Sequence, residues 1–485
     1  MNPFLPRVCL SAVLVGALLS GCTAWPLAVG PDYRLPGLSL PASWSAPPVA
    51  PLVAPAESLT RWWQQLNDPQ LDRLVGEALA GSLDLRLAQA RLRQARASRS
   101  QAVSGFFPAL TASTGASRSK AASALGAQPE RTIYDAGFDA SWEIDVFGGT
   151  RRAVEAATAD QAASAASLEN ARVSLVAEVA QNYVELRSYQ RRLGIARDNL
   201  SSQSETLQIT EWRNQAGLAS SSDVEQARTN REQTRAGIPD LEVGLAAAEN
   251  RLAVLLGRQP GALHAELANR QPLPTVKPSI GAGIPADVLR QRPDLIAAER
   301  TLAAETARVG QKLAARYPSL SLGGSFGWQA YSFAALGGGD TLLRAVSGTL
   351  AATLFDGGKL RSAVDIQSAV QEQALISYEA SVLTALEEVE NALTAYAASR
   401  ERVDARRAAA EAARNAATLT RDLYQSGLAD FQKVLETERT RLTAEDNLAT
   451  AEATVLTSLI KLYKALGGGW EQPATAQQSP EDKIS

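Results

Sequence analysis

"QAGLA", residues 215–219, and "QSGLA", residues 425–429, are nearly the same five residues, and each sits between two long Ala/Leu/Glu/Arg-rich stretches that read as helices. Their glycines, Gly217 and Gly427, are 210 positions apart, and that offset holds along the chain. Asp84, Leu85, Ala88 and Leu92 fall on Asp294, Leu295, Ala298 and Leu302; Pro108 and Leu110 fall on Pro318 and Leu320; Leu256–Gly257 fall on Leu466–Gly467. No net insertion is needed, so residues 71–257 and 281–467 read as two copies of one unit, joined by a Pro-rich linker over 258–280. Each copy starts with an amphipathic helix (69–103 and 286–315), followed by two strands (about 107–146 and about 317–355). A very long helix comes next, then a turn carrying the quoted motif (about 214–222 and about 424–431), then a second long helix. No proline interrupts residues 130–238 or 319–472, which permits continuous helix. Pro239 is expected to kink the last helix of the first copy.

The strands alternate. In "YDAGFDASWEID" (134–145) Tyr134, Ala136, Phe138, Ala140, Trp142 and Ile144 share one face, and Asp135, Gly137, Asp139, Ser141, Glu143 and Asp145 the other. Leu320, Leu322, Phe326 and Trp328 do the same in the second copy, and 346–354 more weakly. Such a strand covers a soluble core, or faces lipid on one side and a polar lumen on the other. A soluble sandwich lacks the further strands needed to cover these faces. An open four-stranded sheet cannot sit in lipid with bare edges, and barrels begin at about eight strands. Other chains must therefore complete the sheet. Three copies give twelve strands, though alternation alone does not choose between a trimer and a dimer.

Fully helical, residues 151–213 extend about 95 Å at 1.5 Å per residue, far beyond the ~30 Å hydrocarbon core. They are rich in Arg, Glu, Gln and Asn, so they project into an aqueous space. Leu375, Tyr378, Val382, Ala385, Val389, Ala392 and Tyr396 form a heptad-like seam alternating large and small side chains. A tube of helical hairpins uses such seams, and so does a plain coiled-coil hairpin.

Net charge is −3 with no basic block, so nucleic acid is not an expected partner. His264 is the only histidine, and no Gly-rich phosphate loop precedes a helix. No constellation for catalysis, a metal or a cofactor is present, and the chain reads as a non-enzyme. "GGG" at 337–339 and 467–469 reads as a strand connection and a helix end.

Residues 1–21 read as a signal peptide, with Arg7 followed by a short apolar run and then "LSGC" (19–22). "LSGC" resembles the lipobox of bacterial lipoproteins, which implies cleavage before Cys22 and a covalent lipid on it. Thr23, with no Asp after the cysteine, resembles lipoproteins sent to the outer membrane. Residues 22–70 are then a lipidated N-terminal segment and 468–485 a C-terminal tail.

"LYQSGLADFQKVLETERTRL" (423–442), "LIKLYKALGGGW" (459–470) and "QAGLASSSDVEQAR" (215–228) resemble the paired hairpin tips of the TolC-type outer membrane efflux proteins. The lipobox points to the lipoprotein branch serving resistance-nodulation-division pumps. The resemblance implies a mainly α fold with a membrane β-barrel portion: a homotrimer with a twelve-stranded outer-membrane barrel, a twelve-helix periplasmic tunnel and an equatorial belt. It implies passive conduction to the exterior, energy from an inner-membrane pump, and a periplasmic adaptor at the tips. Carried over by position, Gly217 and Gly427 make the turns, and Leu218 and Leu428 face the adaptor. Glu436, nine residues after the second glycine, stands at an acidic constriction. Lys433, six after it, departs from the acid often found there, and Asp223 is its first-copy counterpart. Tyr424 matches a position whose polar contacts help hold the tunnel shut, or is a packing aromatic. The alternative is a lipid-anchored periplasmic coiled-coil spacer without a pore, which has no use for the alternating strands.

Overall fold

The computed structural model describes residues 28–38, 40–45, 59–120, 130–274 and 291–470. The signal segment, Cys22, the end of the linker and the tail beyond 470 lie outside these described residues.

The first copy contains α1 (Pro69–Gly81), α2 (Leu83–Ser104), β1 (Ala109–Ser119), β2 (Arg131–Ile144), α3 (Gly149–Gln215) and α4 (Ser221–Leu255). A short α5 (His264–Leu267) follows, then α6 (Pro293–Ala314), β3 (Ser319–Ala330), β4 (Leu342–Ala351), α7 (Lys359–Gln425) and α8 (Phe431–Ala465). Both long helices have 67 residues and both return helices 35, so the repeat is kept to the residue. Helix α4 carries Pro239 inside its span and continues past it.

The helix expected over 69–103 is two helices. The chain breaks at Ser82, where the backbone is extended. The cause is a close backbone approach: a Cβ on Gly81 would lie 2.5 Å from the Leu256 carbonyl oxygen, and one on Gly257 2.4 Å from that of Gly81. The second copy breaks at Arg292, the position matching Ser82, just before Pro293. There Gly467 abuts Gln291 and Arg292.

The chain divides into two compact units, and both repeats contribute to each. The first holds residues up to Pro36, Arg93–Ala163 and Glu299–Ser377. Its sheet has order β1-β2-β3-β4, antiparallel throughout. Register places Phe138 opposite Phe326 and Ala112, Trp142 opposite Leu322, and Leu320 opposite Leu350 and Ile144, so most large apolar residues share one face, which also carries Arg344 opposite Phe326, while Ile133 and Leu343 lie on the other. The largely apolar face is bare: Leu110, Phe138, Phe326, Val346 and Leu350 are all exposed, Val346 by 92%. Among the described residues β1 and β4 each have a free edge.

In the same unit Arg152, at the start of α3, holds the N-terminal segment. It donates from Nε to the Val29 carbonyl at 3.2 Å and from Nη2 to the Gly30 carbonyl at 3.2 Å and to Asp32 Oδ1 at 2.8 Å. Its remaining Nη1 pairs with Glu155 at 2.7 Å.

The second unit holds Gly37–Leu92, Ser164–Ala298 and Tyr378 onward, and contains the main core. Trp62 is fully buried and stacks on Tyr463 at 5.0 Å. Asp68 caps α1 through the amides of Gln70 and Leu71 and also accepts a 2.7 Å hydrogen bond from the Tyr183 hydroxyl. Residues 258–267, expected as linker, belong to this core, since Leu263 and Leu267 are fully buried. Gln190 of α3 donates to the Leu267 carbonyl at 2.7 Å. His264 is exposed, with Nδ1 2.9 Å from Glu249 Oε2. Among the described residues no group of three His, Cys, Asp or Glu side chains is placed to hold a metal, and no helix is long and apolar enough to cross a membrane.

Candidate functional site

The two quoted pentapeptides are the turns between α3 and α4 and between α7 and α8. Each closes its helix in the same way. The Gly217 amide donates to Asn214 O at 2.9 Å and the Leu218 amide to Arg213 O at 2.7 Å. Gly427 donates to Tyr424 O at 3.0 Å and Leu428 to Leu423 O at 2.8 Å. This 5→2, 6→1 pair satisfies carbonyls the helix end leaves open, and it requires a left-handed residue between them. Gly217 and Gly427 supply it, with φ of +75° and +78°.

Different side chains start the return helices. In the first turn Ser220 and Asp223 form a reciprocal capping box: Asp223 N donates to Ser220 Oγ at 3.1 Å, and Ser220 N to Asp223 Oδ2 at 3.0 Å. The Asp223 carboxylate is thus engaged by its own helix end. In the second turn Asp430 caps α8 by accepting from Lys433 N at 2.8 Å. The next residues, Leu218 and Leu428, are 69% and 76% exposed, apolar side chains presented by the turns to solvent.

Lys433 and Glu436 lie one turn apart on α8, both exposed, with Nζ 2.8 Å from Oε2. The hydrogen bond to Glu436 holds the Lys433 ammonium above its ordinary range. The expected charge departure is therefore a local neutral pair. Tyr424 is buried in a small cluster with Leu207, Ala227, Phe431, Val434 and Leu435, which draws on α3, α4, α7 and α8. Its ring lies 5.7 Å from Phe431 and under the Arg213 guanidinium at 4.5 Å, while Arg213 Nη1 donates to the Tyr424 carbonyl at 2.8 Å. Its hydroxyl has no hydrogen-bond partner among the described residues. Within this chain the Tyr424 ring packs as an aromatic, while Arg213 ties its carbonyl to the first hairpin.

Behind the turns lies a set of charged contacts between helices that sequence reading missed, with Glu438 and Glu445 buried. Glu438 of α8 accepts from Thr206 Oγ1 of α3 at 2.7 Å and pairs with Arg421 of α7 at 3.4 Å. Glu445 accepts from Asn199 of α3 at 3.3 Å and from Arg414 of α7 at 3.0 Å. Glu452 pairs with Arg191 of α3 at 2.5 Å and lies 3.7 Å from Arg407 of α7. Burial pushes the Glu438 carboxyl above its usual range, against the opposing pulls of Thr206, Arg421 and Arg441.

The profile of the family described as outer membrane efflux protein matches residues 74–258 and again 284–468. Nodulation protein T of Rhizobium leguminosarum bv. viciae is 32% identical over 467 residues, covering 96% of this chain and 95% of its own. The pyoverdine export outer membrane protein OpmQ of Pseudomonas putida is 33% identical over 443 residues, covering 90% and 93%. Among solved structures, the outer-membrane channel OprN superposes with a TM-score of 0.85 at 36% identity, covering 91% of this chain and 99% of that one.

Proposed function

The chain belongs to the outer membrane efflux protein family, and from that premise we propose that it is the outer-membrane duct of a tripartite efflux system, passing substrates to the exterior without catalysis. The observation that carries the reading is the sheet: four antiparallel strands with one bare, largely apolar face, interrupted by Arg344, and two edges open among the described residues. Lipid satisfies the face and further copies satisfy the edges, because an unpaired edge in hydrocarbon leaves a row of backbone groups without partners. Three copies close a twelve-stranded barrel, and six hairpin turns then ring the periplasmic mouth.

The finer parts of the reading rest on single features. Leu218 and Leu428 are exposed leucines on rigid turns, which suits docking of a periplasmic adaptor hairpin, with an inner-membrane pump of the resistance-nodulation-division type behind it. Glu436, exposed near the second turn, is a candidate constriction residue, its charge offset by Lys433. Lipidation of Cys22 fits the position of the N-terminal segment. Residue 28 is six residues beyond it, a reach of at most about 20 Å, and Arg152 pins residues 29–32 where β2 gives way to α3.

Two measurements test this. Purified full-length protein should run as a detergent-stable trimer and conduct in planar bilayers; a monomer without conductance would favour the coiled-coil spacer instead. Labelled palmitate should enter the wild-type chain and not Cys22→Ser.

A further inference from the structure

Charge interrupts the apolar face of the sheet toward one end. Arg344, the third residue of β4, and Arg118, near the end of β1, both fall on it by register, opposite Phe326 and Thr132. That end carries the β1–β2 and β3–β4 connections, and α2, α3, α6 and α7 attach at the other. Arg118 is satisfied: its Nε and Nη2 donate to the two carboxylate oxygens of Glu130 at 2.9 Å and 3.1 Å. Arg344 is exposed and makes no hydrogen bond or ion pair among the described residues.

The strands offer Arg344 no counter-charge. Alternation puts Asp135, Asp139 and Glu143 on the opposite face, and none of the four strands carries an acid on this one. β1 therefore brings none when it pairs with β4 of another copy across a barrel seam. The two connections contribute one acid each. Glu130 is already held by Arg118, and Asp340 sits in a short 3-10 helix and forms no ion pair among the described residues.

An unpaired arginine facing lipid is destabilising at depth and tolerated near the interface, and such charges mark functional contacts. Arg344 lies two residues inside β4. At ~3.3 Å per residue and a strand tilt of about 35–45°, that places its backbone about 5 Å below the strand end, within reach of an interface for a snorkelling side chain. On the membrane side of it the same face of β4 carries only Val346, Gly348 and Leu350. Phe326 beside it and Trp328, one outward position nearer the strand connections, form an edge-to-face pair at 5.5 Å. A cation at headgroup depth, above a hydrocarbon-facing strand, is complementary to an anionic amphiphile.

We propose that Arg344 is a binding site for a phosphorylated lipid of the outer leaflet. Its guanidinium donates in a fork to a headgroup phosphate, and the acyl chains run past Val346 and Leu350. The site rests on the duct reading, which puts this face in the outer membrane with the strand connections outward. A trimer carries three such sites, one beside each seam.

The test titrates delipidated full-length trimers with lipid A bearing both its phosphates and reads bound lipid by native mass spectrometry. Arg344→Gln should weaken binding about tenfold or more, the loss of a charge-assisted fork. Arg344→Lys, a point charge in place of the fork, should weaken it less. Arg118→Gln removes an arginine already paired at the surface and should stay within about twofold of wild type. Wild-type trimers should bind dephosphorylated lipid A as poorly as Arg344→Gln binds the phosphorylated form, and excess inorganic phosphate should not displace lipid A. Equal losses in Arg344→Gln and Arg118→Gln reduce the effect to general positive charge and overturn the site. So does displacement by inorganic phosphate, which marks a free-anion site, and so does a loss of trimers in Arg344→Gln that Arg344→Lys restores, which marks a carboxylate of another copy. Wild-type trimers that pass no current in planar bilayers sink the duct reading and the site with it; conducting trimers whose lipid A binding ignores Arg344 overturn the site and leave the duct standing.

Discussion

Phe431→Ala should loosen the periplasmic turns without unfolding the protein. Phe431 is buried in the small cluster behind the turns, 5.7 Å from Tyr424, and the main core does not include it. Burying a phenylalanine removes some 150–250 Å² from water, worth about 4–6 kcal/mol at about 25 cal/mol per Å². Measured Phe→Ala costs run about 3–5 kcal/mol, and a cluster of six side chains beside solvent collapses more readily than a deep core. About 3 kcal/mol is therefore the expected cost. Because stability is local in so extended a contact pattern, it falls on the opening of the turns and raises their open population about a hundredfold. Hydrogen exchange on detergent-solubilised trimers should show this over residues 205–216 and 424–437, with strand amides 131–144 as an internal control. Leu428→Ala, three residues away but 76% exposed, should leave protection unchanged, its stability effect staying within about 0.5 kcal/mol. Protection in Phe431→Ala that stays within about twofold of wild type, where ~3 kcal/mol demands far more, refutes the assignment of this cluster as the local lock.

Three further outcomes are expected. Arg152→Ala removes the donor to the half-buried Val29 carbonyl, at about 1 kcal/mol, and its pairing with Asp32, and Arg152→Lys cannot reproduce the fork; limited proteolysis should cut near residue 30 in both variants and not in wild type. Gly427→Ala meets no neighbour but forces a left-handed alanine, costing about 1 kcal/mol, so the second turn should fray in exchange experiments while Gly427→Asn frays less. Glu438 titrates above its ordinary 4.5 when packed, through burial, facing Arg421 from α7, Arg441 on its own helix and neutral Thr206 from α3. The packed state then binds the proton more tightly than a separated one, so the contribution of this group to closure is complete below the ordinary value and fades as pH rises through the raised one. Conductance should climb with pH over that window, and Glu438→Gln should flatten the climb; a fall with rising pH would reverse the reasoning.

The repeat was legible because its markers are backbone requirements. Gly217 and Gly427 need left-handed φ and so cannot drift, and the family profile matches two segments at the same 210-residue offset. The strands were legible because a period of two is rarely accidental over twelve residues. The charged contacts behind the turns were present as a heptad of glutamates on α8 (Glu438, Glu445, Glu452) and of arginines on α7 (Arg407, Arg414, Arg421), but in helices this rich in Arg and Glu they look like solvated faces. Glu438 differs from Glu436 by two residues, about 200° around the helix. That rotation takes the side chain from solvent to an interface made by Arg421 of its own hairpin and Thr206 of the other. No pattern within one helix reports which face a neighbour will cover. The break at Ser82 escaped for the same reason: its cause is Gly257, 175 residues away.

The two copies make the same turn and diverge in what stands behind it, and the divergence has a direction. Arg197 and Glu242 in the first copy pair at 2.8 Å, the counterpart of Arg407 and Glu452. The pair nearest the turn, Arg421 with Glu438, has its counterpart in Glu211 and Arg228, which lie 3.6 Å apart with the charges exchanged, and the middle pair is gone, since Ser204 and Arg235 stand where Arg414 and Glu445 would. Ties within a hairpin are therefore shared between the copies. Ties across hairpins are not, because Thr206 and Asn199 of α3 become Ala416 and Ala409 in α7. One face of α3 is polar to receive the second hairpin, while the matching face of α7 is alanine. The polar contacts of α3 with the α7–α8 hairpin therefore have no equivalent on the matching face of α7. If that is right, Thr206→Ala, which gives α3 the residue its own repeat carries, should weaken the grip of the first hairpin on the second while leaving both hairpins folded. Faster exchange over 431–445 with unchanged trimer content is the expected signature, and unchanged exchange would return Thr206 to an ordinary helix-surface residue.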